Sequence, residues 1–344
     1  MRIAIVNNQT PFVRGGAEQL ADWLRDKLEL HGHDAEVVRL PFQWQPAERV
    51  VDHMLAARLV RLPNVDRVVA LKFPAYFVPH HDKVLWLLHQ FRQAYELWGT
   101  PYQDIPDTPA GHAVREAVVE ADRRYLREAR RIYTNSRVVG HRLSVFNGIE
   151  SEVLLPPLHD PSLYRCESYG DYFFLPSRIT GGKRQHIAAA AMGSVRSGAR
   201  LVIAGAPETP ADLDRLTAVI REHDVADRVE VIPRFISEEE KLRLLAGARG
   251  VVYPPLGEDS YGYVTLEAFQ ARKPVITLAD SGGTLELVQD GRNGCVVDGP
   301  VEMAAAIDEL FEDEALAQRM GQAALDTVGE LDISWERVVR CLTE

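Results

Sequence analysis

The sequence lacks a cysteine pair, a long apolar run and any excess of positive charge, and each absence removes a class of function. Its three cysteines, Cys166, Cys295 and Cys341, stand far apart with no CxxC spacing, which argues for a reducing compartment rather than a disulfide scaffold or a zinc ribbon. No apolar stretch approaches the roughly 18 to 20 residues of a membrane-spanning helix. The opening Met1-Arg2-Ile3-Ala4-Ile5-Val6 has too short an apolar run for a signal peptide and reads as a buried strand. A cytoplasmic protein is therefore predicted, in which the glycosylation pattern Asn8-Gln9-Thr10 is fortuitous. A net charge of −11 disfavours nucleic acid as a partner. No metal is expected: His80-His81-Asp82 are adjacent residues, which rarely converge on one ion, and no Asp-x-Asp motif sits at a strand end.

What is present is an ordinary globular composition, 46% hydrophobic and 26% charged, in a chain of 344 residues. That length suits two domains of about 150 to 170 residues. The first 150 residues hold 20 basic and 18 acidic side chains, the remainder 19 and 32, so the halves differ either in their partners or only in their solvated surfaces. Strands are predicted at Arg2–Val6, Ala35–Leu40, Arg67–Leu71, Lys83–Leu88 and Arg131–Thr134, with a helix over Glu18–His31. Alternation of this kind marks βαβ units around a parallel sheet. After a break at Gly148 to Asp171 it resumes. Strands are predicted at Tyr172–Leu175, Leu201–Ala204, Val229–Ile232, Gly250–Tyr253, Pro274–Leu278 and Gly294–Val297. Helices are predicted at His186–Val195, Ala211–His223, Glu238–Ala246 and Tyr263–Gln270, with a short one at Glu286–Val288. The fold class is α/β, two doubly wound Rossmann-like domains facing across a cleft, divided at 155/156, with 333–344 a C-terminal helix expected to pack back on the first domain. Ligands in such sheets bind beyond the carboxyl ends of the strands.

Three loops at such ends carry the chemistry. The first runs from Asn7 to Gly15-Gly16-Ala17-Glu18, where glycines open a helix. It reads either as a tight turn or as a place where backbone N–H groups meet an anion. The second, Ser177-Arg178-Ile179-Thr180-Gly181-Gly182-Lys183, sets two cations five residues apart around a Gly-Gly loop, a pattern suited to two phosphates. A solvated basic loop is the plainer reading. The third is Pro254-Pro255-Leu256-Gly257-Glu258-Asp259-Ser260-Tyr261-Gly262-Tyr263-Val264, followed by a helix with Glu267 about two turns inside. Helix-end stabilisation accounts for Glu258 and Asp259 but not for Glu267. Carboxylates placed there would accept hydrogen bonds from sugar and ribose hydroxyls.

These motifs, with Gly282-Gly283-x-x-Glu286 and Asp290-Gly291-x-x-Gly294, resemble those of retaining glycosyltransferase family 4, which has the GT-B fold. The resemblance covers nearly the whole chain and is strongest in its second half. It implies that Asp259 and Glu267 are the family's paired acids, seven residues between them, with Asp259 on the transferred sugar and Glu267 on the donor ribose. Arg178 and Lys183 would bind and stabilise the departing diphosphate, and Tyr261, Gly262, Tyr263 and Val264 would contact sugar and diphosphate. Phe235 and Ile236 would lie near the base, Gly15 and Gly16 would face the phosphates, and His89 would stand beside the reacting sugar. Three departures are evident: aspartate for the usual first glutamate, Gly205-Ala206-Pro207 for Gly-x-Gly-Pro, and Ala271-Arg272-Lys273 where a glycine usually precedes the Pro-Val-Ile strand.

The resemblance implies a metal-independent, cofactor-free hexosyl transfer with retention by front-face substitution. The donor would be a nucleotide diphosphate sugar, UDP- or GDP-linked foremost, and the acceptor a small molecule or a glycan or lipid-linked one. A nucleotide-sugar epimerase and an inactive nucleotide-sugar-binding homologue are the alternatives. Acceptor contacts are expected from Gln90–Gly111, a long aromatic segment bearing Arg92, Tyr95, Trp98, Tyr102 and Asp104. Core packing is the rival reading for those rings. Arg123, Arg124, Arg127, Arg130, Arg131, Arg137 and Arg142 around the single acid Glu128 read as one solvated helix face, in preference to a surface for an anionic acceptor or a membrane.

Overall fold

Val68–Leu71 and Val84–Leu88 are apolar at every position and buried at every position. Strands with no polar face need cover on both sides, which a parallel sheet flanked by helices supplies. A computed structural model describes residues 1–12, 15–257 and 261–344 and divides the chain into two units.

The first unit comprises Met1–His159 and Ser334–Glu344. Its elements run β1 (Arg2–Gln9), α1 (Gly16–Leu30), β2 (Asp34–Pro41), α2 (Arg49–Leu59), β3 (Arg67–Lys72), β4 (Lys83–His89), α3 (Pro109–Tyr125), β5 (Arg131–Thr134), α4 (Arg137–Asn147) and β6 (Glu152–Val153). The strands form one parallel sheet in the order β2-β1-β3-β4-β5-β6.

The second unit, Asp160–Ile333, repeats the plan. It contains β7 (Tyr172–Pro176), α5 (Gln185–Met192), β8 (Arg200–Ala204), α6 (Pro210–Glu222), β9 (Val229–Ile232), α7 (Glu238–Gly247), β10 (Gly250–Val252), α8 (Tyr263–Gln270), β11 (Val275–Leu278), β12 (Gly294–Val297), α9 (Pro300–Glu312) and α10 (Glu314–Glu330). Its sheet order is β12-β11-β10-β7-β8-β9, again parallel. Strand order reverses between β1 and β3 in one sheet and between β7 and β10 in the other. Loops leaving the carboxyl ends beside such reversals are the binding positions of this architecture.

The final helix, α11 (Trp335–Thr343), belongs to the first unit. Its stripe of Trp335, Val338, Val339 and Leu342 joins the core around Ile3, Ile5 and Trp86. The Trp335 indole donates to Leu158 O at 2.8 Å, and Arg67 donates to Leu342 O at 2.9 Å.

The structure corrects several expectations. The arginine run is not one helix face: it is spread over α3, the 3-10 turn Leu126–Glu128, β5 and α4. Arg127 in it donates to the Asn147 and Gly148 carbonyls that end α4. The short helix expected at Glu286–Val288 is a 3-10 turn over Gly282–Glu286. Asn293 stops it there, its side chain donating to Leu287 O and accepting from Gln289 N. Glu267 is the fifth residue of α8, one turn inside rather than two. His80 lies against backbone carbonyls of Asp82 and Val65, and among the described residues no group of His, Cys, Asp or Glu is placed to hold a metal ion. No described helix is long and apolar enough to cross a membrane.

Candidate functional site

The loop after β7 carries Arg178 and Lys183 at the reversal of the second sheet. It is held by the loop after β8. Ile179 N donates to Ala206 O and Glu208 N to Ile179 O, both at 3.0 Å. The approach is so close that a Cβ on Gly205 would sit 1.9 Å from Ser177 O, so of the altered Gly-Ala-Pro motif the glycine is the residue this packing requires. Arg178 is largely exposed and pairs with Glu208 at 3.3 Å. Lys183 ends the 3-10 turn Gly181–Lys183, and its ammonium donates to the Tyr253 hydroxyl at 3.0 Å. Tyr253 follows β10, so the contact ties the two loops that flank the reversal. Arg184, next in sequence, was not singled out by its motif. It grips Asp280 bidentately and donates to Pro254 O and Pro255 O, clamping the start of the third loop.

That loop enters α8 through Gly262, whose φ of +75° is a left-handed conformation suited to glycine. A Cβ there would also press on the Tyr253 ring at 3.0 Å. Tyr261 and Tyr263 meet edge to face with centroids 5.5 Å apart. Among the described residues, the buried hydroxyls of Tyr261, Thr265 and Thr284 have no hydrogen-bond partner. Buried polar groups are ordinarily satisfied, so these three around a helix N-terminus are open to a polar ligand. Asp259 and Glu258 lie outside the described residues.

Glu267 does not stand alone. Its Oε1 accepts from Lys241 at 2.6 Å and lies 3.3 Å from the Tyr164 hydroxyl, which is also 3.2 Å from Glu238. Burial pushes the Glu267 carboxyl up, and Lys241 opposes the rise without cancelling it. Burial disfavours the Lys241 ammonium, but Glu267 and Glu238 outweigh it and hold its pKa above the usual lysine value. Lys241 is on α7, the helix capped by Ser237 just after Phe235 and Ile236. Phe235 is 85% exposed and Ile236 buried. One element thus links the two residues expected near the base to the acid expected at the ribose.

In the first unit, Gly15 N donates to Glu18 Oε2 at 2.8 Å, and the other oxygen of Glu18 holds Lys72 at 2.7 Å. The Gly15 amide is therefore committed to its own helix, and those of Gly16 and Ala17, in the first turn, are the ones placed to meet an anion. His89 ends β4 opposite Lys72. Its Nδ1 donates to Gln90 O at 2.7 Å, and burial together with Lys72, Arg92 and Arg142 lowers its pKa to about 4. His89 is a neutral ring at physiological pH with Nε2 as an acceptor.

Each of the three expected acceptor residues is engaged by neighbours within the first unit. Arg92 pairs with Glu96 at 2.8 Å. Trp98 is packed by Arg115, 5.0 Å above its ring, and by the edge of His112. Tyr95 is buried, donating to Asp122 at 2.7 Å and accepting from Asn147 at 3.1 Å, while Asn147 in turn accepts from Gln90. For Tyr95 the core-packing reading holds. Asp122 also accepts from Tyr76 at 2.8 Å. Burial raises its pKa to about 7, against the lowering effect of the two tyrosine hydroxyls. Because this folded value exceeds the unfolded one of about 3.9, the contribution to stability is complete below about pH 4 and is lost as pH rises through 7. Denaturant midpoints of Asp122→Asn should accordingly fall less steeply than wild type between pH 4 and pH 7. An equal fall in both proteins would contradict this account.

Residues 169–327 match the model of the family described as glycosyl transferases group 1. A D-inositol 3-phosphate glycosyltransferase of Corynebacterium diphtheriae is 33% identical over 132 residues, which cover 37% of this chain and 30% of that protein. The match thus spans under a third of that curated relative. Sucrose-phosphate synthase from Thermosynechococcus elongatus is similar over 99% of this chain and 97% of its own, with TM-score 0.79 and 16% identity. Anabaena HepE, solved in complex with UDP and glucose, is similar over 100% of this chain and 99% of its own, with TM-score 0.72 and 19% identity. The two parallel six-stranded sheets and these likenesses give the chain the GT-B fold.

Proposed function

Because residues 169–327 make this chain a member of the glycosyl transferases group 1 family, we propose that it transfers a hexosyl group from a nucleotide diphosphate sugar to an acceptor hydroxyl, with retention at the anomeric carbon. The observation that carries the reading is the convergence at one sheet reversal of Arg178, Lys183 and the α8 N-terminus, with three buried hydroxyls that have no partner among the described residues. Cations and helix N–H groups suit a diphosphate, and the hydroxyls suit the polar edge of a sugar.

As the glycosidic bond breaks, negative charge grows on the diphosphate. Arg178 and Lys183 neutralise it in place of a metal. Glu267 receives the ribose hydroxyls through the carboxylate oxygen that Lys241 does not occupy, beside the base held near Phe235 and Ile236. Asp259 takes the hydroxyls of the transferred sugar, and the amides of Tyr261 to Val264 contact sugar and phosphate. His89, being neutral, acts as an acceptor for a sugar hydroxyl rather than as a cation. The acceptor proton passes to a donor phosphate oxygen. The first unit supplies the acceptor site, and a cytoplasmic setting suits three cysteines that form no disulfide. HepE, solved with UDP and glucose, makes UDP the first base to test.

Thermal melts with UDP-, GDP-, ADP- and dTDP-sugars test the donor. A ligand at about 100 times its dissociation constant adds about 2.7 kcal/mol of stability, so one nucleotide series should raise the melting temperature by several degrees and the others should not. Absence of a shift with every series would remove the donor reading. Slow release of nucleotide diphosphate that accelerates with acceptor separates a transferase from an epimerase, which converts the donor unaided.

A further inference from the structure

The first unit contains a concavity of about 620 Å³, at the carboxyl ends of β1 and β2, that none of the residues above explains. Its volume falls in the range of small-molecule sites. Phe42 and Trp44 form an aromatic wall, their rings stacked with centroids 6.1 Å apart, and His53 meets Phe42 edge-on at 5.6 Å. Trp44 is 41% exposed, an unusual setting for so large an apolar surface. Thr10 is fixed in the wall by its hydrogen bond to Phe42 O at 3.2 Å.

Opposite in character is Asp104. Its amide donates to Gln93 Oε1 at 2.6 Å, and Gln93 Nε2 returns a bond to Asp104 Oδ2 at 3.2 Å. Gln93 is buried and also donates to Tyr102 O, so it holds the carboxylate in place while leaving Oδ1 available. Among the described residues that line the concavity, Asp104 is the only carboxylate and there is no lysine or arginine.

From this combination we infer that the concavity is the acceptor subsite and takes an unphosphorylated, hydroxylated ring, a sugar or cyclitol glycoside. The ring lays its apolar face on Trp44 and Phe42 and donates a hydroxyl or amine hydrogen to Asp104. An aromatic face matches the C–H face of such a ring, whereas a phosphate would meet a carboxylate and no described cation. Gln93 is a positioning residue, acting through Asp104. The inference rests on the transferase reading for the word acceptor, but the site itself stands on the first unit alone.

The test is direct binding to the full chain, followed through the indole N–H resonances of the five tryptophans, with the Trp44 signal identified from Trp44→Phe. Phenyl β-D-glucoside and phenyl β-D-glucosaminide should shift that signal, and inositol 3-phosphate at the same concentration should not. Trp44→Ala should weaken glucoside binding about tenfold, and Asp104→Asn should reduce the preference for the amine. Gln93→Leu should reproduce the Asp104→Asn loss, while Gln93→Glu should restore part of it by accepting from the Asp104 amide. Inositol 3-phosphate binding as tightly as the glucosides would overturn the inference, as would glucoside binding that ignores Trp44→Ala. If neither glucoside binds but a nucleotide sugar raises the melting temperature, the subsite fails and the donor reading survives. The reverse pattern keeps the subsite and removes the donor reading.

Discussion

Arg178→Ala and Lys183→Ala are each expected to lower turnover about 100- to 1000-fold, with a far smaller change in the dissociation constant of the donor. The reason lies in what each cation does before substrate arrives. Arg178 has Glu208 at 3.3 Å, and both side chains are more than half exposed. An exposed pair of this kind contributes roughly 0 to 1 kcal/mol, so the guanidinium can exchange carboxylate for phosphate at little cost. Lys183 donates to the Tyr253 hydroxyl at 3.0 Å. Charge that grows on the diphosphate as the glycosidic bond breaks draws both cations more strongly at the transition state than in the bound donor. An interaction that strengthens along the reaction changes turnover, whereas one already complete on binding changes affinity. Single-turnover rates and calorimetric donor affinities, measured on the same preparations, separate the two. A variant that loses affinity in proportion and keeps its turnover would show that the cations only hold the diphosphate.

The parts of the fold legible in the sequence are those whose signal is local. Arg131–Thr134, Val229–Ile232, Tyr263–Gln270 and Gly294–Val297 have the predicted limits, because short apolar runs between polar punctuation leave little choice of register. Helix α2 escaped notice for the opposite reason. It has no side-chain cap and buries only Val50, Met54 and Ala57, too sparse a stripe to read. The same distinction runs through the candidate site. Arg178, Lys183 and Gly262 sit in contiguous loops, so strand, loop and helix could be read together. Lys241 and Tyr164 reach Glu267 across 26 and 103 residues, and no spacing announces a contact made by packing α7 and the 160–168 segment against α8. Tyr95 misled because an aromatic ring in a long segment looks available until its hydroxyl is found donating to Asp122, 27 residues away. Arg272 is instructive in another way. It adopts φ +52°, a left-handed conformation, where the family usually has glycine. The backbone turn persists, at a cost of order 1 kcal/mol, without the residue that favours it.

Lys241→Met carries the second large expectation, because it breaks a buried pair from one side. Removal of a single partner leaves an uncompensated buried charge and costs about 3 to 5 kcal/mol. Glu267 can escape that cost only by taking a proton. Burial already raises its pKa, and Lys241 supplies the largest opposing effect. Without the ammonium the carboxyl titrates higher still, and at neutral pH a growing fraction is protonated. A protonated Glu267 offers the ribose fewer acceptor positions, so donor affinity should fall about 10- to 100-fold at neutral pH. The sign of the pH dependence then follows. Affinity of Lys241→Met recovers as pH rises through the elevated pKa and the carboxylate reappears, while in the wild type, where Lys241 opposes the rise, the same recovery lies at lower pH. Glu267→Gln combined with Lys241→Met separates stability from binding. With no charge left to bury, the double variant should regain much of the lost stability and yet bind donor poorly at every pH. Calorimetric affinities between pH 6 and pH 9, with melting temperatures for all three variants, give the comparison. A Lys241→Met protein that binds donor as well as wild type at pH 7 would show that Glu267 does not meet the ribose as an anion, and the pairing with Lys241 would then be a matter of stability alone.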